Sequence, residues 1–185
     1  MPRKRLWHAL ESVPGLTTVA AEWKALAVPD HDTLRSFLRP NGSLAASYPC
    51  RQCGCAHEVV VHGEDDIVAA CRCESQCPNI ALTRSDIILY EVNRSALGKA
   101  VASALGITVD EAPVDGLHQT ARIGFYSPFA GYRFPVLLTL QYEPDDMRMT
   151  VERLAATVDA AFILLAPTAQ LLSPATEDLL RRKSA

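Results

Sequence analysis

Six cysteines fall between positions 50 and 77 of this 185-residue chain, and none lies elsewhere. No other feature constrains the fold as much. The run opens Cys50-Arg51-Gln52-Cys53-Gly54-Cys55 and closes with Cys71-Arg72-Cys73 and then Cys77. Two cysteines three apart on a tight turn aim both thiolates at one point, and a glycine directly after them lets the chain reverse. Between the two clusters, 58–62 is valine-rich and reads as a strand, Gly63-Glu64-Asp65-Asp66 as a turn, and 67–70 as the returning strand. That hairpin brings the second cluster back beside the first. Inert buried cysteines are common singly, but six on two facing turns are too concentrated for that role. A redox pair would want a helix N-terminus just after Cys50, and the strand composition after Cys53 argues against one.

Four thiolates at ~2.3 Å around one ion suit tetrahedral Zn²⁺. In this pattern the segment 50–77 resembles a zinc ribbon; no family resemblance extends over the rest of the chain. The resemblance implies one structural Zn²⁺ per chain, held by Cys50 and Cys53 from the first knuckle and Cys73 and Cys77 from the second. The second knuckle departs from the ribbon pattern, offering C-x-C-x-x-x-C in place of C-x-x-C. Cys71 and Cys73 share strand parity, so Cys71 stays open as the alternative to Cys73. Cys55 is expected to be spare, and a two-zinc cluster lacks its usual spacing. His57 and His62 are able to ligate, but beside so many cysteines they are expected on the strand surface. A closed four-cysteine site keeps no position for water, so the metal is expected to hold the fold and not to catalyse. Pro49-Cys50-Arg51-Gln52-Cys53 matches half of a deaminase signature, but no H-x-E precedes it, which excludes that chemistry.

The remaining composition sets the class. An apolar share of 49% and a charged share of 21% are those of a globular protein and exclude a wholly disordered one. No apolar run approaches the ~18 residues of a membrane span. Arg3-Lys4-Arg5 is not followed by the apolar stretch of a secretory signal, so a cytoplasmic location is expected, where cysteines read first as metal ligands. Residues 1–49 carry six basic and four acidic side chains, 50–77 two and five, and 78–185 ten and twelve. No region has the positive excess of a phosphate-binding surface. The basic clusters at Arg3-Lys4-Arg5 and Arg181-Arg182-Lys183 read as solvated ends.

Three parts are expected: a helical segment over 1–49, the ribbon hairpin over 50–77 and an α/β domain over 78–185. The fold class is α+β, with short N-terminal helices, the zinc hairpin, and a compact α/β domain around a small mixed sheet. In the first part, Leu6, Leu10 and Val13 share a helix face closed by Pro14-Gly15. A second helix covers 20–26, Asp32 caps a third, and 40–43 is a turn. In the last part a helix is predicted over 82–106, with Thr83 and Asp86 as a capping box. Asn93 and Gly98 weaken it and leave open two helices meeting near Asn93. Residues 110–119 read as a loop, 122–126 as a strand and 134–140 as an apolar central strand. A helix opened by Glu143-Pro144, a strand over 161–165 and a helix capped by Ser173 before Pro174 complete the chain.

The order helix, strand, strand, helix, strand resembles the core of restriction-type nucleases. Such a nuclease needs an acid on one strand and E-x-K on the next, and 134–140 offers neither acid nor lysine, so the resemblance implies topology alone. No P-loop, G-x-S-x-G or G-x-G-x-x-G occurs, and no catalytic residue is assigned. Five aromatics crowd residues 125–134. They read either as rings covering the core or as an exposed surface for a partner or stacked bases, carried by Tyr126, Phe129, Tyr132 and Arg133. The hairpin tip holds three acids, which leaves Arg51 and Arg72 as the better candidates for a phosphate contact. The expected function is a non-enzymatic structural-zinc protein, an adaptor or regulatory subunit of a DNA- or RNA-acting complex. Its expected partner is a protein, with nucleic acid or a second copy of the chain as alternatives and no membrane. The competing function is an α/β enzyme or small-ligand sensor on a degenerate nuclease-like core.

Overall fold

The computed structural model describes residues 5–74 and 77–183. In chain order its helices are α1 (Arg5–Ser12), α2 (Ala20–Ala27), α3 (His31–Arg35), α4 (Arg94–Ala104), α5 (Pro144–Thr157) and α6 (Pro174–Lys183). Its strands are β1 (Thr17–Val19), β2 (Leu38–Leu44), β3 (Ser47–Pro49), β4 (Ala56–Val61), β5 (Ile67–Ala70), β6 (Ile80–Leu82), β7 (Ile88–Val92), β8 (Thr108–Val114), β9 (Leu117–Tyr126), β10 (Phe134–Thr139) and β11 (Ile163–Leu165). The fold is mixed α+β, as its patterning predicts. The chain divides into two compact units, one of Met1–Gly15 with Asn93–Ala185 and the other of Leu16–Val92. No helix among the described residues is long and apolar enough to cross a membrane.

The unit Leu16–Val92 holds two antiparallel sheets, ordered β1-β7-β2 and β3-β4-β5-β6. The cysteine hairpin is β4 and β5, and β3 and β6 pair onto its two edges. The segment limits expected at 49/50 and 77/78 therefore both fall inside this unit. Val19, Ala45, Ile67, Ala69, Leu82 and Ile87 form one buried apolar cluster contributed by both sheets. Trp23 of α2 is fully buried and donates its indole N–H to the Tyr90 carbonyl at 3.0 Å, which satisfies the one polar atom of a large apolar ring.

Three local expectations change here. Residues 82–92 are not helical, because β6 pairs with β5 and β7 lies between β1 and β2. Apolar residues three and four apart fit a helix face, but ladder pairing overrides that preference. Half of the predicted capping box forms: Asp86 Oδ2 accepts from the Thr83 N–H at 2.8 Å, but the Thr83 hydroxyl donates to the same carboxylate at 2.6 Å and the Asp86 N–H donates to the Thr83 carbonyl at 3.0 Å. They close the turn between β6 and β7. Residues 40–43 lie within β2 as an irregularity, where the Ser43 N–H donates to Asn41 Oδ1 at 2.9 Å and the register with β7 shifts. The short α3 begins at His31, with Asp30 and not Asp32 at its N-cap.

In the other unit a four-stranded mixed sheet is ordered β11-β10-β9-β8. The nearly all-apolar β10 is interior, antiparallel to β9 and parallel to β11, so α5 makes the crossover between parallel neighbours. Met147, Val151 and Leu154 line the buried face of α5, and α6 packs against that helix. Asn93 caps α4, accepting from the Ala96 N–H at 3.0 Å, which realises the alternative of a helix beginning there. Gly98 lets α4 approach the sheet: a Cβ at this position would lie 2.8 Å from Ile123 Cγ2. The loop expected at 110–119 is instead the end of β8, a turn and the start of β9. Asp115-Gly116 makes that turn, with Gly116 at φ +71°, the conformation a tight hairpin demands. The Ser173 cap of α6 forms as expected, its Oγ accepting from the Thr176 N–H at 3.2 Å.

Candidate metal centre

The cysteines occupy the two connections at one end of the β4–β5 hairpin. The first follows β3 and leads into β4. There the Gly54 N–H donates to the Cys50 carbonyl at 3.0 Å, and the Cys50 N–H donates to the Cys55 carbonyl at 3.1 Å. Gly54 at φ +71° allows this reversal. The turn also points backbone donors at sulfur: the Gln52 N–H lies 3.4 Å from Cys50 Sγ. Backbone hydrogen bonds from Cys53 and Gln52 hold the Cys50 thiol below its usual range. The second connection leaves β5 at Cys71 and returns through Cys77 to β6.

These elements gather Cys50, Cys53, His57 and Cys77, whose donor atoms lie within 4.8 Å of one another. Three sequence-predicted ligands thus meet, and the fourth donor beside them is an imidazole. Cys73 stands in a second group with Cys71 and Cys53, also within 4.8 Å. Both residues of the open Cys71/Cys73 pair therefore face the first knuckle, with their sulfurs 3.1 Å apart. All six cysteines are free of disulfides. The arrangement can hold a metal ion.

His57 is not on the strand surface, as its sequence neighbours suggest. Its side chain is fully buried, with Nε2 3.4 Å from Cys53 Sγ. Nδ1 is the one buried side-chain nitrogen or oxygen without a hydrogen-bond partner among the described residues. A buried imidazole lacking such a partner costs free energy unless something satisfies it. Strand alternation carried the signal: His57 has the parity of Val59, which packs against the core of this unit.

Crowding dominates the electrostatics. A backbone hydrogen bond from Cys55 acts to lower the Cys53 thiol. Desolvation and the thiols of Cys73, Cys77 and Cys50 outweigh it and push Cys53 well up. Burial pushes Cys77 up as well, and Cys73 is the first cause of the same upward shift at Cys55. Ionising these neighbours together needs a compensating cation.

The predicted contact residues lie in two places. Arg51 and Arg72 are exposed beside the knuckles, but Arg72 already pairs with Glu58 at 2.7 Å. Tyr126, Phe129 and Tyr132 are 40%, 62% and 54% exposed around the connection between β9 and β10, so these rings do not cover the core. Phe129 and Tyr132 pack against each other with centroids 4.5 Å apart. Arg133 lies over the Phe125 ring at 3.6 Å and Arg122 at 4.8 Å, and Asp110 pairs with both guanidinium groups. Arg3 and Lys4 lie outside the described residues, while Arg181 pairs with Glu177 at 3.5 Å.

No family model matches the chain, and neither does any curated protein or solved structure. Its chemistry therefore has to be read from its own residues. Where the nuclease-like order would ask for acids, β9 and the end of β10 carry Thr120, Thr139 and Gln141. The two threonine hydroxyls are 2.8 Å apart, and the Gln141 amide donates to Thr139 and to Thr150 of α5 at 3.0 Å each. This cluster is buried and hydrogen-bonded within itself, with no carboxylate among its members.

Proposed function

We propose that this chain is a metal-stabilised, non-catalytic adaptor. In this reading a structural Zn²⁺ on Cys50, Cys53, His57 and Cys77 fixes the β3–β6 sheet. The aromatic turn around Phe129 meets a protein partner. The observation that carries the metal half is the closed donor set. Three thiolates and one imidazole fill the four positions of a tetrahedral ion, which leaves none for a substrate or activated water. Soft sulfur donors favour zinc over magnesium or calcium. This set replaces Cys73 of the ribbon-like pattern with His57.

The partner half rests on exposure. Phe129 and Tyr132 present a packed pair of rings to solvent, the residue types that anchor protein interfaces. The neighbouring cations make this surface only weakly phosphate-seeking, because Asp110 pairs with both Arg122 and Arg133, leaving one net positive charge, and Phe125 carries their planes. A protein surface therefore fits better than nucleic acid, and the DNA- or RNA-acting complex is reached through that protein. Against a nuclease-like core stands the hydrogen-bonded cluster of Thr120, Thr139 and Gln141, which holds no carboxylate.

The test is direct. Protein purified without chelator should contain zinc, and Phe129→Ala with Tyr132→Ala should leave zinc content and melting temperature unchanged while abolishing binding to a partner isolated with the wild-type chain and then purified. Protein without metal removes the first half of the proposal. Tight DNA or RNA binding with a steep salt dependence, unaffected by those two substitutions, removes the second.

A further inference from the structure

The structural-metal reading uses four donors and leaves three thiols beside them. We propose that the centre holds two divalent metal ions that share the Cys53 thiolate, one on Cys50, Cys53, His57 and Cys77 and the other on Cys53, Cys55, Cys71 and Cys73. The proposal rests on the metal reading above and deepens it.

Cys53 is the pivot. Its Sγ belongs to both donor groups, each within 4.8 Å. Ligands of one tetrahedral zinc with bonds of ~2.3 Å lie ~3.8 Å apart, so both groups are already near ligand spacing. A thiolate keeps lone pairs after binding one ion and can bind a second. Two tetrahedral ions need eight ligand positions. The cluster supplies six sulfurs and one imidazole, and one bridging sulfur completes the count. The sharing also explains why the C-x-C-x-x-x-C knuckle departs from a ribbon: Cys77 serves one ion while Cys71 and Cys73 serve the other.

Cys55 supplies the last position. Its Sγ lies 3.7 Å from the Cys53 carbonyl oxygen, on the same knuckle as the shared thiolate. The fully buried His57 adds a nitrogen donor to the first ion's site, its Nε2 3.4 Å from Cys53 Sγ. One ion therefore sits among three sulfurs and a nitrogen, and the other among four sulfurs. Each thiol gives its proton to solvent as it binds.

The full chain loaded with ¹¹³Cd²⁺ tests this. Elemental analysis should give two ions per chain. Cadmium NMR should show two resonances, the all-sulfur ion downfield of the one with a nitrogen ligand, split by coupling through the shared sulfur. Cys55→Ser alone, and Cys71→Ser with Cys73→Ser, should each leave one ion and one unsplit resonance. A single ion in the wild-type chain, whether or not Cys71 and Cys73 are oxidised to a disulfide, overturns the paired site and leaves the structural-metal reading standing. Two uncoupled resonances overturn the bridge. No bound metal overturns both readings.

Discussion

The two units solve the same problem with different materials. Around the mixed sheet of β8–β11, a nearly all-apolar central strand and the faces of α4 and α5 bury a continuous set of large side chains, including Leu97, Ile123, Val136, Met147 and Leu154. In Leu16–Val92 Trp23 and Leu34 are fully buried too, but the apolar cluster shared by the two sheets is six residues, two of them alanines, and the strands are short. A sheet of that size buries little on its own. The thiols and the imidazole stand at the end of the hairpin where apolar packing stops. One unit is held by area removed from water, and the β3–β6 sheet of the other, in our reading, by ligand bonds as well.

Stripping the metal is the strongest way to break that comparison. Chelation, or Cys50→Ser, should remove amide-exchange protection from β3–β6, since zinc binding in small modules is worth about 10–16 kcal/mol. The exchange of β9 and β10 should barely move. Equal loss in both units would refute the division of labour. The reciprocal experiment is Leu154→Ala. A fully buried leucine on α5 should cost about 2–5 kcal/mol by denaturant unfolding, with bound metal unchanged. Metal lost in step with that destabilisation would mean the units are not independent.

Smaller effects sharpen the picture. Asn93→Ala removes the side-chain acceptor at the start of α4 and should cost about 1 kcal/mol; a neutral result would show that the cap is replaceable. The slightest effect is one of pH. Hydrogen bonds from the Thr83 side chain and backbone hold the Asp86 carboxyl below its usual range. A depressed carboxyl stabilises the fold above its unfolded value of about 3.9, and that contribution disappears as pH falls through the folded value. Thr83→Val should move Asp86 upward in a carboxyl NMR titration and flatten the acid limb of stability. An unmoved Asp86 would show that the turn does not set its acidity.

Much of this was readable from the chain, and the failures have a common physical cause. The elements β10, α5, β11 and α6 declare themselves through long apolar patterns and local caps such as Ser173. Thr83 and Asp86 make one of the two predicted bonds in a different element, because the same local hydrogen bonding serves a turn as well as a helix start. What decided between them was the pairing of β6 and β7 with distant strands, which no local window contains. Asp115-Gly116 did announce a hairpin, but charged residues and Pro113 on β8 obscured the strand. At the site, cysteine spacing brought Cys50, Cys53 and Cys77 to one point, whereas His57 required the facing of β4.

The pairing of β1 with β7 has a consequence for how such a chain is assembled by evolution or by design. Thr17 stands opposite Glu91, so the chain enters and leaves Leu16–Val92 on adjacent antiparallel strands. Paired strands lie ~5 Å apart. The unit with the cysteine cluster thus behaves as a cassette spliced into a host sequence, and a few residues joining position 15 to position 93 would close the gap it leaves.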